Sequence, residues 1–161
     1  MNIQIALPFQ LPACIVPVQG ALNLLSQRIQ QQNWNQAIEG DCFQLNGSHS
    51  VFGPESICDT IRQRIKDNDI HPVGTLSGLG EPRLQCDALA VQQQIESEFP
   101  ELLAGLKKNG LEQALRSLRV VPGDVEIQWD QQSCEISFLL TSGSYATAVM
   151  HELALINGEV W

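Results

Sequence analysis

The chain has 161 residues, 43% of them hydrophobic, which is enough for a packed core and excludes wholesale disorder. Lys plus Arg is 9 and Asp plus Glu is 18, a formal charge of -9, which argues against holding nucleic acid by bulk electrostatics alone. No apolar run approaches the length of a membrane span.

Residues 1–20 are apolar but lack a basic n-region, and Pro8, Pro12 and Pro17 interrupt them, so they read as an irregular lead-in rather than a signal peptide. From Ala21 to about Gln32, Leu22, Leu25 and Ile29 recur at helical spacing, with Gln27, Arg28 and Gln30 expected to face solvent. Glu39-Gly40-Asp41 reads as a turn. Asn46-Gly47 is a two-residue hairpin signal between Cys42–Leu45 and Val51-Phe52. Pro54 suits the first turn of a helix carrying Ile57, Ile61 and Ile65, which Asp67-Asn68-Asp69 ends.

Ile70 to Leu76 is a short extended piece, followed by a loop through Ser77-Gly78-Leu79-Gly80-Glu81-Pro82. A long helical stretch runs from about Leu84 to Phe99, Pro100 interrupts it, and Leu102 to Lys107 continues it to a stop at Asn109-Gly110. Leu111, Leu115 and Leu118 suggest another short helix. After Pro122-Gly123 the period becomes two: Val125, Ile127 and Trp129, then Cys134, Ile136, Phe138 and Leu140, predict an antiparallel hairpin. Ser144 can cap a final helix from about Tyr145 to Ile156.

The five cysteines, Cys14, Cys42, Cys58, Cys86 and Cys134, are scattered and form no C-x-x-C pair. They read as reduced, mostly buried thiols of a cytoplasmic protein. His151-Glu152 begins like a zinc-protease signature, but position 155 is Leu, so no metal site is expected. Gly74, Gly78 and Gly80 match no dinucleotide or phosphate loop. Lys107, Lys108, Arg116 and Arg119 lie close together in sequence with only Glu112 among them, and Arg62, Arg64 and Lys66 form a smaller cluster. Either group suits phosphates, and either suits a solvated face. Gly143-Ser144-Tyr145-Ala146-Thr147 could admit a ligand to the backbone, present helix N-terminal amides and stack an aromatic on a base. It could equally be a capped strand-to-helix connection.

That stretch, with Glu135-Ile136-Ser137-Phe138-Leu139-Leu140 before it and His151-Glu152-Leu153 after it, resembles the C-terminal signature of the TruD family of tRNA pseudouridine synthases, approximately E-I-R-F-x-L-P-A-G-S-F-A-T-S-V-x-R-E-L. Glu39-Gly40-Asp41, Leu45-x-Gly47 and Phe52 resemble the family's D-G-D…L-x-G…F segment, and Leu76-x-Gly78-x-Gly80-Glu81 its L-P-G-S-G-E loop. The Val125–Trp129 stretch falls where the family has a Trp-containing strand.

The resemblance implies an α+β fold in three parts. Residues 1–19 are an unmatched lead-in, 20–118 a mainly helical insertion domain with small β-hairpins, and 119–161 the last hairpin and helix of the pseudouridine synthase catalytic domain. It implies isomerisation of uridine to pseudouridine in tRNA by an aspartate, with no metal or organic cofactor. Gly143, Ser144 and Tyr145 match the family's G-S-F and would line the uridine pocket, with Thr147 supporting the turn. Lys107, Lys108, Arg116 and Arg119 become candidate RNA backbone contacts.

The family's catalytic motif, G-x-K-D-x-x-A-x-T-x-Q, has no counterpart here. Lys66-Asp67 lacks the preceding glycine and the Ala, Thr and Gln that should follow. Thr141 replaces the family's proline, and His151 the arginine of R-E-L. The expectation is therefore a synthase fragment that is inactive alone and needs a separate N-terminal half. The alternative is a non-catalytic RNA- or protein-binding module, with an exposed sheet remnant inviting self-association.

Overall fold

The computed structural model describes residues 24–129 and 134–142, together with 144, 146 and 149. The chain divides at Arg119/Val120 into two compact units.

The first unit is built on an antiparallel sheet of strand order β2-β1-β3-β4. Its strands are β1 (Phe43–Leu45), β2 (Val51–Phe52), β3 (Ile70–Leu76) and β4 (Ala114–Ser117). The helices are α1 (residues 24–30), α2 (Asp59–Lys66), α3 (Cys86–Glu98) and α4 (Pro100–Lys108). The pieces that read in sequence as a separate hairpin and a short extended run thus join one sheet, with β3 at its centre. Phe43 pairs with both Phe52 and Pro72, and Thr75 pairs with Leu115.

β3 shows no polar alternation because both of its faces are covered, so six of its seven residues are buried. On one face Phe43 and Ile70 pack with Ile61 and Ile65 of α2. On the other, Cys42, Val73 and Leu115 pack with Leu84 and Ala88 at the start of α3. Leu24 and Leu25 of α1 pack with Ile95 and Leu118. Adjacent residues such as Cys42 and Phe43 serve opposite layers because side chains alternate along a strand.

Five expectations are corrected. Residues 111–118 are not helical: β4 occupies 114–117, because the free edge of β3 offers ladder partners that a one-turn helix cannot match. α2 begins at Asp59 rather than near Pro54, with Cys58 extended at its N-cap; the Gly53–Pro54 peptide is cis. The β1–β2 connection spans residues 46–49 rather than two residues, since Leu45 N–H still donates to Ser50 O at 3.0 Å. Arg28, expected in solvent, is 1% exposed. Of the described free cysteines only Cys42 is buried; Cys58 and Cys86 are exposed because they sit at the starts of α2 and α3. The other helix boundaries follow known signals. Asn68, left-handed at φ 59°, follows the end of α2, and Pro100 opens α4.

The second unit contains an antiparallel hairpin of β5 (Gly123–Trp129) and β6 (Cys134–Leu139), with Ile127 opposite Ile136 and Gln128 opposite Glu135. Every residue of β5 is exposed. Ala146 and Val149 are helical, and Val149 is buried. The lead-in, the turn at 130–133 and most of the expected final helix lie outside the described residues.

Candidate functional site

The Glu39-Gly40-Asp41 turn organises the first unit. Glu39 O accepts from Ala88 N–H and Gly40 O from Gln85 N–H, both at 3.0 Å, so the turn satisfies amides at the start of α3. Gly40 has φ +85°, and a Cβ there would lie 1.9 Å from Gln85 O. Only glycine fits both constraints.

Asp41 is buried against Arg28. Arg28 Nη1 donates to Asp41 Oδ1 and Oδ2 at 3.0 and 3.1 Å, and Nη2 donates to Asn33 O and Gln36 O. Ile38 N–H donates to Asp41 Oδ2 at 2.9 Å. Burial raises the Asp41 carboxyl above its usual range, opposed by the Arg28 charge. The carboxylate of the E-G-D motif is thus consumed by structure.

The glycine loop is also a close-packing device. A Cβ on Gly78 would lie 2.5 Å from Leu111 O, where Leu79 N–H donates to Leu111 O and Gln113 N–H to Leu79 O. Thr75 Oγ1 donates to Gln92 Oε1 and Gln92 Nε2 to Glu96 Oε1, both at 2.8 Å, tying β3 to α3.

The basic residues separate into different environments. Lys107 and Lys108 are exposed in the last turn of α4, where they also complement the negative end of the helix. Arg116 is exposed on β4. Arg119, a candidate phosphate contact from its sequence position, is 7% exposed. Its Nη2 donates to Ile65 O and Ile70 O at 2.6 and 2.9 Å, and its Nε to His71 Nδ1 at 2.8 Å. Those bonds leave it unavailable to a phosphate. In the smaller cluster, Arg62 pairs with Asp59, and Arg64 pairs with Asp69 while lying over the Phe52 ring. Neither of these two arginines is a free cation.

Of the expected pocket residues, Ser144 is described; its N–H donates to Thr141 O at 3.0 Å, closing a turn after β6. Gly143, Tyr145 and Thr147 lie outside the described residues. Sequence reasoning missed Arg28–Asp41 and Arg119–His71 as pairs. No short-range signal marks either, because the partners come from separate elements.

The described residues form an α+β fold with antiparallel sheets, and the motifs occur along it in a fixed order. The family described as tRNA pseudouridine synthase D (TruD) matches residues 22–153. The chain belongs to that family. It is 44% identical over 131 residues to a tRNA pseudouridine synthase D of Hydrogenovibrio crunogenus, covering 81% of this chain and 38% of that protein. It is 35% identical over 139 residues to the one of Methylococcus capsulatus, covering 86% and 39%. A solved TruD chain from Methanosarcina mazei shares the fold with a TM-score of 0.60 at 20% identity, covering 84% of this chain and 36% of that one. The chain therefore spans a little over a third of the length of the relatives it matches. No helix among the described residues is long and apolar enough to cross a membrane.

Proposed function

We propose that this chain is the C-terminal part of a TruD-type tRNA pseudouridine synthase. In this reading residues 20–118 form the insertion domain, and residues 119–161 the last hairpin and helix of the catalytic domain. Gly143, Ser144, Tyr145 and Thr147 line one side of the uridine pocket, with Tyr145 as an aromatic wall. Lys107, Lys108 and Arg116 contact the tRNA backbone. The target base must leave the RNA stack before its glycosidic bond can be cleaved, turned and rejoined through C5.

One observation carries the reading: the match runs through residues 22–153, while the family's aspartate-bearing motif occurs nowhere in the 161 residues. The nucleophile therefore comes from a segment outside this sequence. A cytoplasmic setting suits both a tRNA substrate and unpaired thiols. The test is pseudouridine formation in tRNA, first with this chain alone and then with a separately expressed N-terminal half of a relative added. Activity only in the mixture is expected, and robust activity from the chain alone would overturn the proposal.

A second reading is a non-catalytic RNA- or protein-binding module. It is favoured by the first unit, whose three apolar clusters draw on residues from Leu24 to Leu118. With a formal charge of -9, tRNA affinity is expected to be weak and to fall steeply with salt. No binding at low salt would remove RNA from this second reading.

A further inference from the structure

The end of the first unit is secured by a side chain beyond its last strand. β4 stops at Ser117, and Leu118 N–H donates to Pro72 O at 2.9 Å. Arg119 then turns inward. It reaches Ile65 O in the last turn of α2 and Ile70 O at the start of β3, so its charge meets the negative end of a helix 54 residues away in sequence. Its Nε donates to His71 Nδ1, and His71 Nε2 meets Asn46 Oδ1 at 3.0 Å in the β1–β2 loop.

The direction of these bonds follows from chemistry. A guanidinium can only donate, so His71 Nδ1 must accept. The imidazole proton therefore sits on Nε2 and is donated to Asn46. The chain of bonds from Arg119 through His71 to Asn46 exists only while the imidazole is neutral. A second proton must go to Nδ1, and there it displaces the Arg119 bond and places two cations in contact.

We propose that Arg119, His71 and Asn46 form a proton-sensitive latch that holds the point where the chain leaves the first unit, and that protonation of His71 opens it. The charged groups acting on His71 are Arg119 after β4 and Asp69 in the α2–β3 turn. Asp69 is itself paired with Arg64 of α2, and β1 opposes His71 with neutral Gln44. Burial, then the Arg119 charge, push His71 down to about 4, against the opposing pull of Asp69. In an opened latch His71 takes its proton near the usual value of about 6.5. The closed form is thus fully favoured above about pH 6.5 and is progressively lost as pH falls toward 4.

The test is amide hydrogen exchange on the whole chain, corrected for intrinsic rates, between pH 7 and pH 5. The reporters are Asn46, whose N–H donates to Asp69 O, Asn68, whose N–H donates to Ile65 O, and Leu118. Their opening is expected to rise roughly twentyfold across that range. It should also need less free energy than opening at Leu89 of α3. His71→Gln keeps an acceptor for Arg119 and a donor for Asn46 but cannot titrate, and should abolish the rise. Nitrogen chemical shifts of the wild-type imidazole should show the Nε2–H form persisting to pH 5. Three results would overturn the latch: reporters opening only together with Leu89, an unchanged pH profile in His71→Gln, or wild-type His71 titrating near 6.5.

Discussion

Arg28 on α1 and Asp41 ahead of β1 form an ion pair with both side chains 1% exposed. The guanidinium also holds two carbonyls of the connecting segment, Asn33 O and Gln36 O, so the pair fixes the path from α1 to β1. Removing one partner strands a buried charge, and Asp41→Leu or Arg28→Met alone is expected to cost about 3–5 kcal/mol. The double variant Arg28→Met/Asp41→Leu should cost less than either single change. Urea denaturation of the four proteins closes the cycle, and simple additivity would contradict the pairing.

Gly40 and Gly80 both have positive φ, at +85° and +119°, but only Gly40 is crowded. Gly80→Ala carries backbone strain alone, about 1–3 kcal/mol. Gly40→Ala adds a collision with the Gln85 backbone and should cost clearly more, by a further ~1–3 kcal/mol. Comparing the two urea midpoints at equal m-value tests this.

The sign of the His71 contribution is fixed by its lowered value of about 4. Its stabilising effect is complete above about pH 6.5 and lost as pH falls toward 4, at up to about 1.4 kcal/mol per pH unit. Other carboxylates titrate in the same window, so the relevant quantity is wild type minus His71→Gln. That difference in unfolding free energy should shrink on acidification, and a constant difference would refute it.

Lys107, Lys108 and Arg116 are solvated, whereas Arg119 is consumed by protein bonds. Changing the first three to Ala should weaken tRNA binding and flatten its salt dependence, with stability altered by no more than about 0.5 kcal/mol. Arg119→Met should instead destabilise the fold. Filter binding across a salt series, paired with thermal melts, separates the two effects.

On β5, Val125, Ile127 and Trp129 are 47, 42 and 80% exposed, alternating with Asp124, Glu126 and Gln128. An open apolar face of this kind favours association in general. The variant Ile127→Thr/Trp129→Ser should leave the first unit's stability unchanged and reduce self-association of the chain, as read by sedimentation velocity over a concentration series. Equal association of variant and wild type would count against that surface.

Local chemistry wrote much of this fold into the sequence. The period-two run after Gly123 gave β5 and β6, Ile61 and Ile65 gave the buried face of α2, and Pro100 gave the break between α3 and α4. Each depends on neighbours within a few residues. The family signature was legible for the same reason, as were Gly40 and Gly78 as motif glycines. Tertiary structure decided what those residues do. Residues 114–117 became a strand because β3 had an open edge, a partner invisible from leucine spacing. Arg28 and Arg119 looked like solvated cations because their partners, Asp41 and the His71 cluster, lie 13 and 48 residues away. A charge moves from surface to interior only when distant chain segments supply both a counter-charge or carbonyls and the walls that exclude water, and that supply is a property of the folded assembly.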